Sequence, residues 1–258
     1  CSCSSNHSNK NIQALKETIS LADSSTVIKY SNTIKAEALK QLLYVFVGPE
    51  FEGRATGEKG QKKAADFLKT YYQTQNISSP INDSVYYQYI PKSYFKDTIN
   101  ASENVLAFIK GSEKPEEVLI ISAHYDHLGI KDSLIYHGAD DNGSGTVALL
   151  EIAQAFKIAK QNGFPPKRSI LFIHFTAEEI GLEGSRFYTE NPVFSLDKTI
   201  ANLNIDMIGR IDKTYENNPN YLYLIGADRL SLELHALSEK VNETFFKFTL
   251  DYSYNNEN

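Results

Sequence analysis

The sequence predicts an α/β fold with a largely parallel sheet covered by helices. Two observations point there. Residues 118–123 (VLIISA) and 170–175 (ILFIHF) are near-continuous apolar runs, and such runs suit strands buried on both faces. Between them, residues 145–160 (GTVALLEIAQAFKIAK) show helical spacing and are apolar on most faces. Strand, helix and strand at this spacing make a βαβ unit.

The remaining elements follow in order. Residues 33–47 (TIKAEALKQLLYVFV) read as a helix with Leu39, Leu42, Leu43 and Phe46 on one face. A loop with four glycines follows at residues 48–60, GPEFEGRATGEKG. Residues 61–75 resume helical spacing through Ala64, Ala65, Leu68 and Tyr72. Residues 76–103 are polar and tyrosine-rich, and Pro91 marks them as one or two edge strands. Further strands are expected at residues 200–205 and 221–225, and a surface helix at 230–242. There is no internal repeat.

Composition narrows the function classes. The 258 residues are 41% hydrophobic and 22% charged, as in ordinary globular chains, so the length suits one large domain. A net charge of -6 without a basic run argues against a nucleic-acid partner. No apolar run approaches the ~20 residues that span a bilayer. The only cysteines, Cys1 and Cys3, lie in CSCSSNHSNKN, residues 1–11. That stretch reads as a flexible tether before a single domain over residues 12–258. It is either a disordered tail or the mature end of an exported lipoprotein, periplasmic or cell-surface, with lipid on Cys1 tethering it to a membrane.

The chemistry gathers at the expected strand ends. VLIISA runs into His124-Tyr125-Asp126-His127, ILFIHFTA into Glu178-Glu179, and ANLNI into Asp206. Open α/β sheets place ligand sites beyond the carboxyl ends of their strands, so these groups converge if the strands are parallel neighbours. A fourth cluster, residues 137–145 (HGADDNGSG), precedes the central helix. Helix capping accounts for one of Asp140, Asp141, Asn142 and Ser144, but not for two adjacent aspartates. Imidazole with carboxylate suits zinc, whereas all-oxygen sets suit magnesium or calcium. A pair of zinc ions needs a bridging carboxylate, and a further carboxylate must accept a proton from water. Adjacent glutamates can divide the roles of ligand and base.

With these motifs the sequence resembles the co-catalytic di-zinc aminopeptidases of the bacterial leucyl aminopeptidase type, whose relatives include the glutaminyl cyclases. The resemblance covers roughly residues 36–210 and rests on residues 50–68, 104–111 (NVLAFIKG), 123–129 (AHYDHLG), 138–145 (GADDNGSG), 176–188 (TAEEIGLEGSRFY) and 204–210 (NIDMIGR). It implies a three-layer α/β/α sandwich with a mixed, mostly parallel central sheet, as in zinc exopeptidases. It also implies two zinc ions, a peptide substrate, and attack by a metal-bridging hydroxide. By matching position, His124 and Asp206 would bind one zinc and Glu179 the other. Asp141 would bridge them, Asp126 would orient His124, and Glu178 would be the general base.

One departure stands out. The family's fifth ligand is a late histidine, but His235, the sole histidine after Asp206, sits in an amphipathic helical pattern. The chain is therefore expected to lack the last strands of the family fold and to bind the second zinc weakly or not at all. His127 and His137 are expected at the pocket rim or in loops, His174 in the core, Asp140 and Glu183 in structural roles, and Arg54 in a structural or entrance role. The resemblance leaves two rivals to an aminopeptidase: a single-zinc glutaminyl cyclase and a non-catalytic binding relative. Side-chain preference and oligomeric state are not encoded in any motif.

Overall fold

The structure is a computed structural model and describes residues 3–21, 23–82, 84–96 and 98–256. Its helices are α1 (Cys3–Thr18), α2 (Ser24–Ser31), α3 (Ala36–Phe46), α4 (Lys59–Thr74), α5 (Gly145–Gln161), α6 (Glu183–Glu190), α7 (Ala227–Leu230) and α8 (Leu232–Val241). Its strands are β1 (Tyr87–Ile90), β2 (Ser102–Ile109), β3 (Lys114–His124), β4 (Gly129–Lys131), β5 (Leu134–Tyr136), β6 (Arg168–Phe175), β7 (Thr199–Asn204), β8 (Tyr221–Tyr223) and β9 (Thr249–Asp251). Two compact units are present, one of Ile28–Arg210 and one of Cys1–Val27 with Ile211–Asn258.

The larger unit holds a five-stranded sheet in the order β1-β2-β6-β3-β7. The β6-β3 and β3-β7 pairs are parallel; β1-β2 and β2-β6 are antiparallel. The sheet is mixed, as expected. Strand β2 was not among the elements expected from spacing, although its SENVLAFI is almost wholly buried. Strand alternation sorts the side chains into two cores. On one face Val105, Ala107, Ile121, Ala123 and Phe172 pack with Leu68 and Tyr72 of α4 and Leu149 and Leu150 of α5. On the other, Leu106, Val118, Ile120, Leu171 and Ile173 pack with Tyr188 of α6. Helices thus cover both faces. Each large side chain removed from water contributes ~1.5–3 kcal/mol, which fixes strand ends tightly enough to aim side chains.

The smaller unit is built differently from the expectation for its first segment. Residues 3–11, expected to belong to a tether, are helical in α1, while Cys1 lies outside the described residues. Lys16 at the end of α1 pairs with Glu239 of α8 at 3.0 Å and with Glu243. Strands β8 and β9 pair in parallel. No helix among the described residues is long and apolar enough to cross a membrane.

Candidate metal centre

Register brings the polar strand ends together. In the parallel pairs, His124 of β3 lies beside Phe175 of β6, and Ser122 beside Asn204 of β7. Two residues beyond the second pair come His124 and Asp206. Beyond Phe175 the chain turns at Ala177 (φ 58), which is buried, and presents Glu178 and Glu179. Thr146 at the start of α5 donates to the His124 carbonyl at 2.8 Å, locking the end of β3.

The turn before α5 is stitched to the end of β7. Asn142 donates Nδ2–H to the Ile205 carbonyl at 2.9 Å and accepts from the Gly145 N–H at 2.9 Å. Ser144 accepts from the Ile208 N–H at 3.1 Å, and Asp140 accepts from the Gly209 N–H at 2.8 Å. The Asp141–Asn142 peptide is cis. Asp140 is therefore a structural partner of the NIDMIGR segment, and Asp141 is the one of the pair that faces His124 and His127.

Two groups of donor atoms result. His124, Asp141 and Asp206 form one, and His127, Asp141 and Glu179 the other; in each the donor atoms lie within 4.8 Å of one another. His124 Nε2 is 3.1 Å from Asp141 Oδ1, 3.6 Å from Asp206 Oδ1 and 3.9 Å from Glu178 Oε2. His127 Nδ1 is 2.6 Å from Glu179 Oε1 and 4.0 Å from Asp141 Oδ2. Asp141 thus turns one oxygen to each group. An imidazole with two carboxylates is a catalytic zinc donor set that leaves a position open. Beside the centre lies a cleft of about 610 Å³, walled by Leu43, His127, Asp141, Met207 and Arg210 among others.

The electrostatics call for a cation. Burial opposes charge on His124, but Asp126, Asp141 and Asp206 outweigh it and push the imidazole up to about 12. The hydrogen bond to His124 holds Asp141 below the usual carboxylate range. Burial raises Glu178, opposed by His124 and reinforced by Asp126, Glu179 and Asp206. A raised pKa makes a carboxylate a stronger base, the direction a general base needs.

Arg54 encloses the site from beneath. It is fully buried, with φ 54, and its guanidinium lies over the Phe46 ring. It donates to the carbonyls of Tyr125 (2.8 Å), His137 (2.8 Å) and Gly138 (2.9 Å). It thereby fixes the backbone on both sides of the β4-β5 hairpin, which joins the HYDH segment to the Asp141 turn.

All six expected site residues, His124, Asp126, Asp141, Glu178, Glu179 and Asp206, come together here. One detail differs from expectation. Asp126 meets the far nitrogen of His124 mainly through its backbone: Nδ1 is 3.2 Å from the Asp126 carbonyl and 3.7 Å from its carboxylate. The carboxylate is engaged elsewhere, accepting from Thr56 Oγ1 at 2.9 Å and from the Glu178 N–H at 3.1 Å. It thus aims the base as much as the imidazole. His127, expected at the rim or in a loop, lines the cleft just past the end of β3, facing Glu179 and Asp141. His137 points away, its Nδ1 at 2.7 Å from the Val47 carbonyl, and His174 lies in the core, 2.8 Å from the Tyr72 hydroxyl. His235 belongs to the smaller unit and pairs with Glu239 at 3.3 Å. Thr56 is a supporting residue whose only sequence signal is its place within EGRATG. Asn142, one of the capping candidates, accepts from the Gly145 N–H at the start of α5.

A model of Peptidase family M28 matches residues 104–253 of the chain. The aminopeptidase NAALADL1 of Mus musculus is 38% identical over 111 residues, 42% of this chain and 14% of that protein. The aminopeptidase YwaD of Bacillus subtilis is 32% identical over 162 residues, 56% of this chain and 33% of that protein. The chain therefore spans well under two thirds of these relatives. Among solved structures, the LapA aminopeptidase of Legionella pneumophila superposes with a TM-score of 0.66 at 19% identity, covering 90% of this chain and 58% of that one. The glutaminyl cyclase of Porphyromonas gingivalis gives 0.68 at 18% identity, covering 86% and 76%. At such identities the structural likeness speaks for the fold.

Proposed function

The chain belongs to peptidase family M28, and from that premise we propose that it is a zinc-dependent exopeptidase, an aminopeptidase that releases N-terminal residues from peptides. The observation that carries this reading is the position of Asp141, with Oδ1 toward His124 and Oδ2 toward the Glu179 group. A carboxylate shared by two donor sets suits a pair of zinc ions, and the count of two is part of the proposal. His124, Asp141 and Asp206 would hold one ion, and Asp141 with Glu179 would contribute to the other. Bound zinc supplies Lewis acidity toward a peptide carbonyl and toward water.

The protein's own groups do the rest. Glu178 Oε2, 3.9 Å from His124 Nε2, takes a proton from the attacking water and returns it to the leaving amine. Burial raises its pKa, which makes it a stronger base toward that water. Asp126 holds the Glu178 backbone through its carboxylate and His124 through its carbonyl. The cleft beside Asp141 is wide enough for a substrate side chain.

The test is zinc content and turnover measured together. Wild type and Glu178→Gln are assayed on an aminoacyl anilide and on a peptide with N-terminal glutamine. Hydrolysis by wild type, abolished in Glu178→Gln without loss of zinc, is expected. Zinc-loaded wild type that hydrolyses nothing would sink the reading, and lactam formation without hydrolysis would replace it with cyclase chemistry. We also propose that Cys1 carries lipid and that the protein is exported. Incorporation of a labelled fatty acid, lost in Cys1→Ser, tests this.

A further inference from the structure

We infer that Asn104 is the positioning residue that aims the general base, latching the turn that carries Glu178 to the sheet. The inference rests on the peptidase reading for the role of Glu178 and adds a residue outside the two donor groups. Asn104 is fully buried in β2, just beyond the last β2-β6 pair, Val105 with His174. It therefore lies beside the exit of β6, where the chain leaves the sheet toward Glu178. An amide buried there is costly unless its polar atoms find partners. They do. Oδ1 accepts from the Thr176 N–H at 3.1 Å, and Nδ2 donates to the Gly184 carbonyl and to Gln88 Oε1, each at 2.9 Å.

Thr176 and Gly184 are the two ends of the excursion that holds Glu178 and Glu179, so one amide pins both ends. Gly184 lets them close: a Cβ there would collide with the Thr176 carbonyl and come within 2.7 Å of Asn104 Oδ1. Ser102, on the same face of β2, adds a hydrogen bond between its hydroxyl and that of Thr176 at 2.6 Å. Gln88 extends the latch, donating to the Asn191 carbonyl just past α6 at 2.7 Å. Inside the excursion, the Gly181 and Leu182 N–H groups both donate to the Glu178 carbonyl at 3.0 Å. The base is thus fixed to the turn, and the turn to Asn104. The amide fits one way round only, because Thr176 offers a donor and Gly184 an acceptor. Neither an ionised carboxylate nor an apolar side chain of the same size can make both bonds.

The test is a double-mutant cycle of Asn104→Leu with Glu178→Gln, assayed on an aminoacyl anilide at saturating zinc and substrate. The temperature is one at which circular dichroism shows every variant folded. A residue that acts through Glu178 loses its effect once the base is gone, whereas one that merely supports the fold does not. With Glu178 present, Asn104→Leu should lower kcat by about ten- to a hundred-fold and leave KM within about three-fold of wild type. With Glu178→Gln, the same change should lower kcat by less than about two-fold. Equal losses in both backgrounds, or none in the first, would overturn the inference. Asn104→Asp, which keeps the acceptor and loses the donors, carries the same cycle if the leucine variant does not fold. Hydrogen exchange reads the latch without turnover. Amides of residues 178–184 should exchange about ten-fold faster in either variant while α5 keeps its protection, and unchanged exchange overturns the latch. Zinc-loaded wild type that hydrolyses nothing sinks the peptidase reading, and exchange then decides the latch by itself.

Discussion

Arg54→Met tests whether the buried guanidinium is a clamp or a passenger. The substitution keeps much of the side-chain length and removes the charge and every donor. Three hydrogen bonds of 2.8–2.9 Å vanish. The buried Tyr125 carbonyl loses its Arg54 donor, at ~1–3 kcal/mol. The His137 and Gly138 carbonyls are only partly buried, so water can replace their donor, and each loss is nearer ~1 kcal/mol. The cation also leaves the Phe46 ring, 4.7 Å from the guanidinium carbon, a desolvated contact worth ~2 kcal/mol. Against this, the folded state no longer desolvates an arginine, an effect strong enough to lower its pKa to about 10. That relief returns several kcal/mol less the attraction of the nearby carboxylates. The net expectation is a loss of about 3 kcal/mol, the scale of removing one member of a buried charged network. Urea unfolding of the metal-free protein at neutral pH measures it. Arg54→Lys is expected to rescue little, since an ammonium on a shorter stem cannot reach three divergent carbonyls. A loss below ~1 kcal/mol in Arg54→Met would refute the clamp, being no more than one ordinary hydrogen bond. Full rescue by lysine would mean that charge alone matters.

Glu178→Gln should lower kcat/KM by ~10²–10⁴-fold, the usual range for a positioned acid–base group, with zinc content unchanged by mass spectrometry. Because burial raises Glu178, the acid limb of the wild-type pH profile should lie above that of an ordinary carboxylate, activity rising with pH as the base deprotonates. Gly138→Ala should cost ~1–2 kcal/mol for the left-handed backbone alone, with more from crowding the His127 ring, as urea unfolding would measure. Burial lowers His174 from 6.5 to about 3, so the folded state binds fewer protons than the unfolded chain in that window. Stability should therefore fall as pH drops below 6.5, by up to ~1.4 kcal/mol per pH unit from this residue, and His174→Gln should flatten the slope of unfolding free energy against pH.

Each of these residues differs in how far the sequence exposed it. Of the strands that carry the site, β3 and β6 announce themselves because burial on both faces demands unbroken apolar runs, while β7 is a largely exposed edge strand. Their polar ends are conspicuous for the same reason, since His124, Glu178 and Asp206 follow segments with almost no charge. Strand β2 is equally apolar, but it enters the sheet antiparallel between β1 and β6, and nothing in SENVLAFI encodes that neighbourhood. Helix α1 shows the opposite case. Its serines and asparagines are weak helix formers, and the pairing of Lys16 with Glu239 and Glu243 lies more than two hundred residues away. Local composition argues for a tether, and the tertiary ion pairs are invisible in it.

His127 shows how the end of a strand redirects a side chain. In an extended strand, His124 and Asp126 share one face and His127 takes the other. That rule lapses where β3 ends. Tyr125 still donates its N–H to Phe175, but the next residue no longer follows the ladder, and the His127 N–H bonds instead to Arg54. The backbone turns under the Arg54 clamp, and the second imidazole swings onto the same carboxylate as the first. Arg54, Gly138 and His127, from three separate motifs, therefore act as one device: the cation fixes the two chain segments, the glycine clears the space, and the ring occupies it facing Asp141. A motif read residue by residue shows each of them as a loop position. Their joint meaning appears only when the end of the strand is known.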